Sequence, residues 1–252
     1  MRVVDLSAPI QPSHPDVPAF QRVGIDYYSN AQGGEEIERM FGVPRELLRA
    51  GEGWATDTFT NFGTHSSTHV DAPLHYNSTI QGQPAQSIDQ LPLEWFFAPG
   101  VVLDVRHKAD GDAVTVDDLQ SLLTGIGHTL RPLDIVLIRT GRDQFYGQPD
   151  YWLRGPGVSA DATRWLYQQG VRVMGIDAWG WDAPLTTQAE QARAAGQPGV
   201  FWAAHQVDLA YSQIERLTNL GALPATGFQV SCFPLKIVGG SAGPARVVAL
   251  LD

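Results

Sequence analysis

Four residues of types that can bind metal or move protons stand close together between positions 65 and 75. They are His65, His69, Asp71 and His75, within Gly63-Thr64-His65-Ser66-Ser67-Thr68-His69-Val70-Asp71-Ala72-Pro73-Leu74-His75-Tyr76. All four share parity, so on extended backbone they face one way. On a helical turn His65 and His69 still align. Pro73 biases Ala72 toward extended geometry and limits any helix there. Either way, imidazoles and a carboxylate gather around one point. Those groups are ligands for Zn²⁺ and also suit Mn²⁺. Three protein ligands leave room for a water, which loses its proton near neutral pH and becomes a usable nucleophile. A fourth imidazole nearby can then carry protons. The reading is a metal held by His65, His69 and Asp71, with His75 as acid/base.

The rest of the chain must position that window. The sequence has 252 residues, 43% of them apolar, enough for one α/β domain with a large core. Short apolar runs at Val3–Leu6, Val101–Val105, Ile135–Ile138, Val171–Ile176, Gly227–Cys232 and Val247–Leu251 read as strands. The runs around Ile135 and Val171 are apolar at nearly every position, as in strands buried on both faces. Helices are expected over Thr115–Leu123, with Thr115 as N-cap, and over Ser159–Gln169, capped by Ser159 and stopped by Gly170. The segments Gln11–Trp54 and Pro184–Val200 read as long irregular stretches, which usually serve a site or an interface. The expected fold is a single α/β domain over residues 1–252, a mixed sheet with flanking helices.

Composition excludes some functions. The net charge is −10 with no cluster of Lys or Arg, so no nucleic-acid partner and no anionic membrane surface is expected. No apolar run approaches the ~18 residues of a membrane helix. The single cysteine, Cys232, rules out a disulfide within the chain and reads as a small buried apolar residue. A soluble, cytoplasmic protein is expected.

The window resembles the H-x-G-T-H-x-D-x-P-x-H signature of the cyclase family of metal-dependent hydrolases, to which kynurenine formamidases and isatin hydrolases belong. Ser67 stands where the family usually has Gly. Further segments resemble the family too: Asp5-Leu6-Ser7, Gly51–Ala55 (GEGWA), Asp104–Lys108 (DVRHK), Asp134–Gly141 (DIVLIRTG), Tyr151–Gly157 (YWLRGPG), Gly175–Pro184 (GIDAWGWDAP), Gln213–Leu217 (QIERL) and Gly240–Gly243 (GSAG). The resemblance implies the family's swivelling β/β/α fold. It implies His65, His69 and Asp71 as ligands, His75 as proton carrier, and His205 with Glu215 completing a second metal position. It also implies Phe20 as a residue lining the substrate pocket, and Trp179 and Trp181, which flank Gly180, read on their own as an aromatic wall for a flat substrate. The cofactor expected is one or two divalent ions, Zn²⁺ or Mn²⁺. The partners expected are a small-molecule substrate and further copies of the chain, as a homodimer or homotetramer.

The activity implied is hydrolysis of the C–N bond of a cyclic amide or an aryl formamide. A lactone hydrolase or polyketide cyclase would keep the metal and differ in the pocket. A metal- or ligand-binding protein without turnover has no use for His75 beside its ligands.

Overall fold

Apolar runs along the chain assemble into one nine-stranded mixed sheet of the α/β class. In spatial order the strands are Arg2–Asp5, Val248–Leu251, Phe228–Ser231, Phe97–Asp104, Ile135–Arg139, Val173–Ile176, Ser212–Glu215, His69–Asp71 and Ala242–Pro244. Four neighbours, from Phe97–Asp104 to Ser212–Glu215, run parallel; every other pairing is antiparallel. The computed structural model describes residues 1–251, the side chain of Phe20 excepted.

Ile135–Arg139 shows why this sequence makes such a sheet. Ile135, Val136, Leu137 and Ile138 are all fully buried. Side chains alternate across a strand. Ile135 and Leu137 therefore join one core, with Val102, Val173 and Ile214. Val136 and Ile138 join the other, with Leu103, Met174, Ile176 and the helical Leu119 and Leu166. Helices cover that second face. Val116–Gly125 carries a capping box of Thr115 and Asp118, and Ala160–Gln168 is capped by the Ser159 hydroxyl.

All six strands and both helices expected from the sequence are present, with ends shifted by a few residues. Three strands of this sheet go beyond that expectation: His69–Asp71, Ser212–Glu215 and Ala242–Pro244. They are short and rich in polar or small residues, and the first two carry His69, Asp71 and Glu215 of the site. Pro184–Val200 is not irregular throughout, since Leu185–Ala195 is an α-helix closed by Gly196 in the left-handed region. Its Ala, Gln and Glu favour helix, but it has almost no apolar face to announce it.

The chain divides into two compact units, Met1–Pro9 with Thr64–Asp252 and, separately, Ile10–Gly63. The second unit also contains regular structure where an irregular stretch was expected. Gly24–Tyr28 pairs with Thr56–Asn61 as an antiparallel ribbon, and Asn30–Phe41 is a helix. Ser29 and Gln32 form its capping box, and Gly42 ends it. A Cβ on Gly33 would lie 1.9 Å from the Trp54 carbonyl oxygen, so the helix backbone needs glycine to approach the GEGWA segment.

Gly157 plays a similar role in the larger unit. A Cβ there would lie 1.9 Å from the Ala183 nitrogen, which is backbone and cannot swing aside. Gly157→Ala should therefore destabilise the protein by about 3 kcal/mol or more. Urea unfolding measures this; a midpoint equal to wild type would contradict the close packing of Gly157 on the 182–183 backbone.

Candidate metal centre

Strand register builds the site. On the antiparallel pair, Glu215 lies directly opposite His69, so their side chains share a face. Asp71 is two residues beyond His69 and returns to that face. The strand then ends at Ala72, whose backbone is extended before Pro73. Pro73 opens a one-turn helix, Pro73–Tyr76, which places His75 beside the strand end. His65 comes from the turn before the strand, where its Nε2 lies 3.1 Å from the Ser241 hydroxyl.

The ligand atoms converge closely. His65 Nδ1 is 2.9 Å and His69 Nε2 3.2 Å from Asp71 Oδ1, and His69 Nε2 is 3.6 Å from Glu215 Oε2. Two trios have ligand atoms within 4.8 Å of one another: His65, Asp71 and His75, and His69, Asp71 and Glu215. The five residues are thus brought together, but grouped as two trios sharing Asp71 rather than as one trio of His65, His69 and Asp71. His69, Asp71 and Glu215 are buried.

Three of these buried atoms, His69 Nε2 and both carboxylate oxygens of Asp71, have no hydrogen-bond partner. Unsatisfied buried polar atoms are costly. Two buried carboxylates side by side also repel. A divalent cation would relieve both, and a set of imidazole and carboxylate donors is what Zn²⁺ and Mn²⁺ accept. The residues therefore fit the group.

The imidazoles are oriented from behind. His69 Nδ1 lies 2.7 Å from the Ser67 carbonyl oxygen. A carbonyl only accepts, so Nδ1 carries the proton and Nε2 turns its lone pair to the site. Ser67 itself has no positive φ, which explains why serine serves where the family usually has glycine. His205 is held in the same way by Asp182. Its Nδ1 is 2.5 Å from Asp182 Oδ2, and Asp182 also accepts from the backbone N–H of Ala204 and His205. His205 Nε2 then faces Glu215 Oε1 at 3.5 Å. Glu215 Oε1 is fixed in turn by the Trp181 backbone N–H at 2.9 Å.

Charge follows from these contacts. Burial opposes ionisation of Asp71, but the surrounding imidazoles outweigh it and hold the carboxyl well below its usual range. Burial also opposes protonation of His205, yet Asp182 and Glu215 prevail and raise its pKa to about 10. For His75 burial wins, and its pKa falls to about 4. The imidazole beside the centre is therefore neutral at pH 7, rather than titrating near the working pH as its type alone suggests.

The aromatic residues divide. Trp179 is half-buried, with the Arg216 guanidinium carbon 5.1 Å from its ring centre. Trp181 is fully buried, and its indole N–H donates to Thr163. It is a core residue and not a pocket wall, because its ring points into the face covered by Ala160–Gln168. The Phe20 side chain lies outside the described residues. Trp202, not singled out from the sequence, stacks on His205 at 4.5 Å and meets His75 edge-on at 5.0 Å. Asp182 and Arg216 were also missed, although both lie in segments, GIDAWGWDAP and QIERL, that resemble the family.

Asp182→Asn gives a direct test of the support. An amide NH₂ facing Nδ1 would force the other tautomer and put a proton on Nε2. Metal affinity should fall by about 10–100-fold, as measured by chelator competition. Unchanged affinity would show that His205 is not held for metal.

A mixed α/β sheet whose strand ends collect imidazoles and carboxylates around unsatisfied buried atoms has the frame of a metal-site protein. The chain belongs to the cyclase family: residues 4–183 match the family model described as "Putative cyclase". It is 30% identical over 186 residues to kynurenine formamidase of Salinibacter ruber, covering 73% of this chain and 75% of that one. It is 30% identical over 203 residues to isatin hydrolase of Roseibium aggregatum, covering 75% and 72%. Its fold matches isatin hydrolase A from Ralstonia solanacearum with a TM-score of 0.76 at 27% identity, covering 100% of this chain and 92% of that structure. No described helix is long and apolar enough to cross a membrane.

Proposed function

We propose that this protein is a metal-dependent hydrolase of an amide C–N bond in a cyclic amide or an aryl formamide. The observation that carries the reading is the pair of ligand trios sharing Asp71 around partnerless buried atoms. Similarity to a kynurenine formamidase and an isatin hydrolase supports the choice of bond.

A divalent ion, Zn²⁺ or Mn²⁺, held by Asp71 with His65, His69, Glu215 and His205 around it, would polarise the amide carbonyl and make water acidic. The chain's own residues do the rest. Ser67 fixes the tautomer of His69, so its Nε2 presents a lone pair, and Asp182 holds His205 with Nε2 toward Glu215, where the Nε2 proton would give way to an incoming ion. Glu215 is aimed by the Trp181 N–H. His75, kept neutral by burial, takes a proton from the attacking water and delivers it to the leaving nitrogen. Its ring packs 4.1 Å from that of His65 and against Trp202, which limits its rotation.

A panel of aryl formamides, isatin, cyclic imides and lactones tests the substrate class. The highest kcat/KM should fall on a formamide or a cyclic amide. Turnover confined to lactones would replace the reading with the neighbouring one.

A further inference from the structure

Directly after Glu215 the chain buries a cation that the proposed chemistry does not use. Arg216 is only 5% exposed. Its φ of +60°, rare for a residue with a side chain, breaks the strand's alternation at that point. A guanidinium has five N–H donors and always needs acceptors when buried. Among the described residues its side chain makes one hydrogen bond, from Nε to the Trp179 carbonyl oxygen at 3.3 Å, and no ion pair. Glu215 and Asp71 act on it only through space, as do the hydroxyls of Tyr151 and Tyr146. His65 in turn feels its charge, so Arg216 lies within electrostatic reach of the metal centre.

A second buried donor accompanies it. Tyr151 is 5% exposed, and its hydroxyl has no partner. Tyr151 lies in the YWLRGPG segment, and its ring packs edge-on against Tyr146 at 5.8 Å.

We propose that Arg216, with the Tyr151 hydroxyl, receives a carboxylate on the substrate, so that the preferred amides are anionic. This rests on the hydrolase reading above and narrows it. A guanidinium fork matches a carboxylate, and the Trp179 ring keeps it oriented.

Calorimetric titration of the metal-loaded protein with 2-aminobenzoate and with its uncharged isostere 2-aminobenzamide tests this. Wild type should bind the carboxylate at least about 10-fold tighter than the amide. Arg216→Gln should erase that preference while changing the affinity for the amide less than about twofold. Equal affinities in wild type would overturn the proposal. So would a preference that survives in Arg216→Gln, because the metal alone would then hold the carboxylate. Should that variant fail to fold, Arg216→Lys and Tyr151→Phe read the same preference. Each should reduce it by about threefold or more, and an undiminished preference in both overturns the proposal. Binding is read without turnover, so the absence of any amide hydrolysis would overturn the hydrolase reading and not this one. His75→Asn, which should slow turnover, should leave the carboxylate preference intact.

Discussion

Asp71→Asn should empty the centre of metal. Asp71 is the one residue in both ligand trios, and neither of its carboxylate oxygens has another partner. Loss of a supporting hydrogen bond behind a ligand already costs about 10–100-fold in metal affinity. Removing the shared carboxylate itself should cost more than about 100-fold, and turnover should vanish with the metal. The variant keeps side-chain volume at a fully buried position, so the fold should survive. Elemental analysis of the purified variant reads the result, and metal content equal to wild type would remove Asp71 from the ligand set.

The second large effect is expected at His75. His75→Asn should lower kcat by about 10²–10⁴-fold, the usual contribution of a positioned acid/base. Metal content should stay close to wild type if His75 carries protons rather than binding the ion. Loss of metal would make it a ligand, as its place in the trio with His65 and Asp71 allows. The wild-type pH profile gives a separate reading. Burial takes the His75 pKa down to about 4. A base with a depressed pKa is neutral, and therefore competent, at every pH above that value. A cation beside it would lower the value further. Protonation of His75 should thus limit turnover only as the pH approaches 4 or lower, and an acid limb nearer neutrality, belonging to the metal-bound water, should persist in His75→Asn. A limb centred near 6.5 that vanishes in His75→Asn would show His75 titrating with its ordinary pKa.

Much of this arrangement is legible in the amino-acid sequence, and the reason differs between elements. Ile135–Arg139 is apolar at four successive positions because both its faces are buried, and such runs announce themselves. Thr115 and Ser159 mark helix starts through their own hydrogen bonds, so local chemistry suffices to place them. The strands His69–Asp71 and Ser212–Glu215 are too short and too polar for either signal. Their pairing, which sets His69 against Glu215, is tertiary.

The site divides along the same line. His65, His69, Asp71 and His75 stand out by density in one window. Asp182 reaches His205 from a different segment, and a carboxylate beside a tryptophan in a Gly-rich stretch carries no sign of that partner. Trp181 shows the converse error. Its place two residues from Trp179 suggests an aromatic wall, but the segment is not an extended strand, and Trp181 turns into the core to reach Thr163. Asp177 accepts hydrogen bonds from Thr140 and Gly141, while Arg139 takes Asp104 as its partner. Charge type alone does not choose among carboxylates that the fold brings near.

Reconstitution of the chelated protein tests the central claim most directly. Stripped of metal and then titrated with Zn²⁺ or Mn²⁺, the protein should recover hydrolysis of an aryl formamide or isatin in proportion to bound ion. Recovery should level off at a stoichiometry of one or two per chain, and the stripped protein should be inactive. Full turnover by protein shown by elemental analysis to be free of metal would contradict the account.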